Sequence, residues 1–436
     1  MKFARSISLA FLIPLRGLAG EAVLPAATPE DWNLHFQTTV IGQGDAGFRS
    51  GYSGGSSLHE GGELRDTATM TFFLGRRLWE GAELYLNPEP TQGIGLSNAL
   101  GVAGFPNGEA TRAGGNEPQV NIARLFLRQT FGLGGEREQI ESGKNQLAGS
   151  RDVSRLTFTL GKFAASDIFD DNQYSHDPRT QFLNWALMEN GAWDYPADAK
   201  GYTFGLAVEL HQKDWAIRAG VFAVPRVSNG IAIDKHIRRA NGSVLEVERS
   251  YELARHPGKM RLLGYVNQAH MGRYADSLGT TFVEDVSQPR PYRYKFGLGL
   301  NVEQEVTPDL GLFMRFGWND GRTQTLMFTE IDRTATLGLA LKGTAWQRPG
   351  DVAGLAGIIN GLSRDHRGYL AAGGLGFIIG DGRLRYGEEE ILEAYYDFKI
   401  TAALSFTVDY QFVNHPAYNR DRGPVSIFAA RLHAEF

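Results

Sequence analysis

The chain has no cysteine in its 436 residues. A disulfide framework, a thiolate metal site and a cysteine nucleophile are therefore excluded. The absence suits a protein exported through an oxidising compartment. Uninterrupted apolar stretches of the ~18 residues a membrane-spanning helix needs are also missing. Strong charge of one sign is lacking too: 44 Lys and Arg stand against 49 Asp and Glu, with no basic tract. That balance speaks against nucleic acid as a partner. What the chain does have is glycine, 54 residues, and aromatic side chains, 11% of the total. The first ~22 residues have the layout of a secretory signal peptide. Lys2 and Arg5 precede a short apolar core at 7–15, and a cut is expected after Ala22 or near Ala26 and Ala27.

The final stretch is the most informative. Phe428, Ala430, Leu432, Ala434 and Phe436 fall on one parity; Ala429, Arg431, His433 and Glu435 fall on the other. A period of two with one apolar and one charged face describes a strand with a different solvent on each side. The alternation recurs at 404–412, 202–210, 296–302 and 310–318. Reading back from Phe436 gives about sixteen candidate strands: 32–42, 64–78, 82–88, 120–132, 155–163, 202–211, 214–224, 243–253, 259–270, 293–306, 310–319, 334–346, 351–361, 390–400, 403–413 and 425–436. Those at 243–253, 259–270 and 351–361 alternate poorly.

Connections alternate between short (79–81, 212–213, 307–309, 347–350, 401–402) and long (43–63, 89–119, 164–201, 362–389). Segregation of loop length by parity is a property of outer-membrane barrels, whose short turns are periplasmic. The predicted fold class is all-β: a transmembrane antiparallel β-barrel of about 16 strands over residues 23–436, with short periplasmic turns and long extracellular loops. An even strand count places both ends of the barrel on the periplasmic side. The stretch 133–154 is long where a short turn is due, and reads as a small periplasmic excursion. A terminal strand closing on aromatic Phe436 is what the barrel-assembly machinery would engage, and lipid and lipopolysaccharide would surround the wall. Trp32, Trp79, Trp318 and Tyr410 fall near strand ends, where aromatic girdles belong.

The face opposite the apolar one carries Arg65, Glu83, Arg124, Arg128, Glu209, Arg218, Lys342, Asp409 and Arg431, together with Glu393, Asp397 and Lys399. Buried dry, so many charges would each carry several kcal/mol of desolvation cost. A water-filled lumen removes that cost, and about sixteen strands enclose an aqueous channel rather than a packed interior. Arg124 and Arg128, opposed by Glu83 and Glu209, are expected to form a mixed-charge constriction that favours neutral solutes. The competing reading is static pairing along the wall. A strongly cationic lumen, as an exporter of anionic polymer would need, is not what this list describes.

Several segments resemble one known family, the carbohydrate-selective porins of the OprB type. They are "FRSGYSGGSSL" at 48–58, "ELYLNPEPTQGIGLSNALGVAGFPNGEA" at 83–110, "RLFLRQTFGLGG" at 124–135, "DPRTQFLNWALMENGAWDYPADAKGYTFG" at 177–205 and "NGLSRDHRGYLAAGGLGFIIGDGRL" at 360–384. The likeness runs from about residue 32 to 436 and is weakest over 227–288. It implies a sixteen-stranded barrel with its pore in the monomer, passing monosaccharides and short oligosaccharides by diffusion, with no cofactor. Trimers are common among porins, so a homotrimer is an expectation, although no lipid-facing patch in the sequence argues for one.

The segment 164–201 is the candidate loop for folding into the lumen. Its Trp185, Trp193 and Tyr195 would stack on sugar rings while Asp171 and Asn172 take hydroxyls. The alternative for each is packing against the wall. A narrower reading places Ca²⁺ at Asp167, Asp170 and Asp171, where hard oxygen ligands cluster without the spacing of a calcium loop. A catalytic barrel would need a nucleophile and base at one rim. Asp365 and His366 are sequence neighbours of suitable type, and nothing else supports that reading, so no catalytic residue is assigned.

Overall fold

The period-two pattern builds strands wherever it was read. In chain order they are β1 Trp32–Asp45, β2 Glu63–Trp79, β3 Ala82–Gly93, β4 Gly115–Gly132, β5 Arg137–Ile140, β6 Gly149–Asp152, β7 Arg155–Phe163, β8 Thr203–His211, β9 Trp215–Ala223, β10 Asn241–Leu253, β11 His256–His270, β12 Tyr292–Thr307, β13 Leu310–Asn319, β14 Arg333–Gly343, β15 Arg348–Gly361, β16 Glu389–Lys399, β17 Leu404–Asn414 and β18 Val425–Glu435. The computed structural model describes residues 29–110, 115–278, 285–287 and 290–436. The expected signal peptide lies outside the described residues.

All the strands except β5 and β6 form one closed antiparallel barrel of sixteen. Closure runs between β1 and β18, in register from Gln37 opposite Glu435 to Asp45 opposite Ile427. Closing the sheet removes its edges, which lipid could not hydrogen-bond. On β18 the lipid-side Phe428, Ala430 and Leu432 are exposed while Arg431 and His433 point inward and are buried. Trp32, Trp79 and Trp318 are exposed near the ends of their strands. The three poorly alternating strands are present as well. Their inward positions include Val244 on β10, Leu263 and Tyr265 on β11, and Ala356 and Ile358 on β15. These side chains meet protein rather than water, so polarity does not mark that face.

What they meet is the loops. The 94–110 and 164–202 connections run inside the barrel. Leu96, Val102, Phe105, Phe182 and Leu187 form one apolar cluster with Phe313, Ile358 and Tyr395 of the wall. Close approach requires small wall residues: a Cβ at Gly317 would lie 2.0 Å from the Asn190 side chain. The stretch 133–154 forms the two-stranded sheet β5–β6, on the same rim as the short turns.

Candidate functional site

Most of the anchors of the inner loop lie on one side of the barrel. Asp170 is fully buried against Arg315 of β13, 3.2 Å away, and also receives the Asn190 N–H at 2.6 Å. Arg315 donates further to the carbonyls of Ser175 (2.7 Å) and Leu187 (2.8 Å). Asn172 donates to Asn301 of β12 at 2.7 Å. The N–H groups of Leu183 and Asn184 donate to Glu393 of β16. Arg431 of β18 reaches the carbonyls of Pro178 and Gln181 at 2.8 and 2.6 Å. Asp194 accepts the backbone N–H of Leu326, Met327 and Phe328, which brings the 320–332 connection inward too.

The opposite side keeps a cavity of about 740 Å³ between the inner loop and the wall of β1–β9. Its lining extends from Thr91 and Lys200 near the outer loops to Arg155 and His211 near the periplasmic rim. Three ion-paired arginines and one held by aromatic rings stand along it. Arg124 of β4 makes a two-pronged pair with Asp167, at 2.7 and 2.5 Å, and lies over the Tyr202 ring. Arg179, carried on the inner loop, spans to Glu109 at 2.9 Å and Glu89 at 3.2 Å. Tyr202 donates to the other oxygen of Glu89 at 2.9 Å. Arg218 joins Glu209, Glu246 and Glu248 at 3.3, 2.9 and 3.2 Å. Arg128 lies between the rings of Tyr85 and Phe126 and donates to the Asn145 carbonyl.

Two carboxylates of the inner loop show how the fields act. Burial would raise the Asp177 carboxyl, but Lys144, Arg179 and the Arg179 N–H hold it below the ordinary range. Burial likewise opposes ionisation of Asp171, and His176, Arg261 and Lys259 pull it below its usual value. Both remain ionised through the neutral range, so the cavity offers charges of both signs.

Aromatic side chains contribute a second surface. Trp185 stacks on Phe328, centroids 5.6 Å apart and planes 17° apart, and Phe328 in turn meets Tyr195 at 4.5 Å. All three border the cavity. The Trp185 indole N–H donates to the Asn107 carbonyl at 2.7 Å, which fixes the ring.

Of the residues expected at the constriction, Arg124, Arg128, Glu209 and Arg218 border this cavity. The others are placed differently. Arg65 sits at the outer end of β2, paired with Glu63 at 3.0 Å. Glu83 starts β3 at the periplasmic rim and accepts the Tyr85 hydroxyl. Lys342 ends β14, exposed, and donates to the Pro308 carbonyl. Asp409 and Arg431 do face inward, but the inner loop covers them. Parity gives the direction of a side chain and not its depth along the strand, which misplaces Arg65, Glu83 and Lys342, and it carries no trace of the loop laid over Asp409 and Arg431.

Among the aromatic and polar candidates, Trp185, Tyr195 and Asp171 border the cavity. Trp193 and Asn172 do not: both are 1% exposed, Trp193 packed between Phe169 and Tyr195 and Asn172 spent on Asn301. The Ca²⁺ reading fails because the three aspartates face different partners: Asp167 pairs with Arg124, Asp170 with Arg315, and Asp171 lies 3.8 Å from Arg261. Among the described residues no group of three acidic or histidine side chains is placed to hold a metal. His366 pairs with Asp332, not with its neighbour Asp365, and is fully buried under Tyr274.

Sequence reasoning missed Glu89, Glu109 and the bridging role of Arg179. It also missed the inward path of 94–110. The alternation of Leu96, Ala99, Val102 and Phe105 with glycine in an expected surface loop was a usable signal, since water-facing loops seldom need that many apolar residues.

A family model described as the carbohydrate-selective porin, OprB family, matches residues 61–436. The chain belongs to that family. Its barrel is therefore placed in the Gram-negative outer membrane. A curated relative, porin AaxA of Chlamydia abortus (strain DSM 27085 / S26/3), is 24% identical over 340 residues, covering 77% of this chain and 61% of that protein's length. Among solved structures, the high-pH form of Pseudomonas putida OprB superposes with a TM-score of 0.69 at 16% identity, covering 93% of this chain and 94% of that one. The DcaP channel of Acinetobacter baumannii gives 0.51 at 10% identity, covering 96% and 100%. At those identities the superpositions speak for the barrel alone.

Proposed function

We propose that this porin passes small neutral sugars, monosaccharides and short oligosaccharides, by passive diffusion through a constriction of mixed charge. The observation that carries the reading is the pairing of two surfaces across one cavity. Arg124–Asp167 and Arg179–Glu89–Glu109 supply fixed donors and acceptors, while Trp185, Phe328 and Tyr195 form a short aromatic step. Pyranoses present hydroxyls around the ring edge and C–H groups on its faces, so they can use both at once. Because the charges are mutually paired, they impose a field across the pore with little net attraction for either sign. A charged solute would have to break a pair to gain one.

Planar-bilayer conductance titrated with glucose, a disaccharide and a charged sugar acid tests this. Saturable block by the neutral sugars is expected, and Trp185→Ala should weaken it by about tenfold, the loss of one aromatic contact of ~1.4 kcal/mol. Current that ignores all three solutes would reduce the protein to a general diffusion porin.

A further inference from the structure

The β5–β6 hairpin is not a free periplasmic appendage. Its turn, residues 141–148, is folded back over the periplasmic mouth and held by inward-facing groups of five strands. Asn33 of β1 donates to Ser142 and to the Gln146 carbonyl, at 3.1 and 2.7 Å. His35 lies 3.0 Å from the Ser142 hydroxyl. Asn87 of β3 donates to Asn145, and Arg128 of β4 donates to its carbonyl, both at 2.9 Å. Leu147 is buried, its N–H donating to the Tyr85 hydroxyl. On β2, Gly75 makes room: a Cβ there would lie 2.5 Å from Asn33 and 3.3 Å from Leu147.

Lys144 extends furthest. Its ammonium donates to Gln37 of β1 at 3.2 Å and to Glu435 of β18 at 2.8 Å, and lies 3.9 Å from Asp177 of the inner loop. A side chain from the periplasmic rim thus meets a loop that descends from the opposite one. Lys144, Asn145 and Gln146 border the same cavity as Arg124 and Trp185. The turn lies beneath β18, β1, β2, β3 and β4, and across the cavity from it stand Arg155, Glu209, His211 and Arg218 of β7–β9. Arg155 and Arg151 are tied to Glu138 of the hairpin at 3.0 and 2.7 Å, which fixes its base.

We propose that this hairpin is a second filter in series with the constriction, with Lys144 its selectivity residue: a solute that has passed Arg124 and Arg179 must still leave between Lys144 and the β7–β9 wall. The proposal goes beyond sugar preference and rests only on the chain being a channel. Many anchors make the hairpin a fixed narrowing rather than a swinging flap. Its charge acts on whatever crosses, while the sugar contacts upstream stay as they are.

The cysteine-free sequence permits a direct test. Lys144→Cys and Asn145→Cys are each made singly, with Gln139→Cys, exposed on β5 outside the mouth, as the reference. Each channel is recorded in a planar bilayer before and after a cationic methanethiosulfonate reagent is applied from the periplasmic side, and labelling is verified by intact mass. Modification at Lys144→Cys or Asn145→Cys should lower single-channel conductance by roughly two-fold, because added bulk at a narrowing raises its resistance. Gln139→Cys should be unaffected. Glucose block is measured before and after labelling in each variant: a change confined to block, with conductance unaltered, would place the turn in the sugar site instead and overturn the proposal. Complete labelling of both turn variants with unchanged conductance would overturn it.

Discussion

Arg124 on β4 and Arg315 on β13 both face the lumen and both pair with an aspartate of the same inner loop, Asp167 and Asp170 respectively. Arg124 stands on the open cavity, whereas Arg315 has no exposure at all. The contrast extends to the walls that carry them. Along β1–β9, Arg124 and its partner Asp167 border the open cavity, with 13% and 27% of their side chains exposed, so water reaches that pair and it can be broken at modest cost. Along β10–β18, the same chemistry is sealed beneath the loop and acts as its fastening. Inward charge in a barrel therefore has two meanings, and the inner loop decides which applies.

Breaking the sealed side should have the largest effect. Arg315→Ala leaves Asp170 buried without its cation and takes a donor from the Ser175 and Leu187 carbonyls. A loss of about 3–5 kcal/mol is expected, the cost of orphaning one partner of a buried pair. Denaturant unfolding of the refolded barrel measures it, and the folded fraction should show larger, noisier single-channel currents as the loop loosens. On the open side, Arg124→Ala should change stability by about 1 kcal/mol or less, since water reaches the Asp167 carboxylate that remains. Its effect should appear in ion selectivity: reversal potentials in a salt gradient should move toward cation preference. The smallest change belongs to Lys342→Ala, which lies outside both environments; stability within about 0.5 kcal/mol and an unaltered conductance are expected. An equal stability loss for Arg124→Ala and Arg315→Ala would erase the distinction between the walls.

The barrel was legible in the sequence because lipid enforces its rule on every strand: one face must be apolar whatever the other does. That is why residues 155–163 and 310–319 coincide with β7 and β13. The constriction was only half legible. Arg124 and Arg431 look alike on parity, and what separates them is the path of a loop that reaches Pro178 and Gln181 beside one and leaves the other open. Trp193 and Trp185 stand eight residues apart in the same loop; one is core and the other borders the cavity, a difference set by tertiary packing alone. Residues 133–154 were recognised as an exception to the loop rule. Their return into the mouth left no periodic trace, because it is made by single hydrogen bonds from scattered strands.

The difference between the walls can be read directly as water access at matched depth. Thr91 on β3 borders the cavity, and Thr336 on β14 lies under the loop, accepting the Arg315 N–H at 3.1 Å. Each is changed singly to cysteine in the folded channel, and the rate of reaction with a small water-soluble thiol reagent is measured. Thr91→Cys should react faster than Thr336→Cys by about two orders of magnitude, since labelling beneath the loop needs it to open first. Equal rates would contradict the account, for they would mean that both walls of the barrel face the same water.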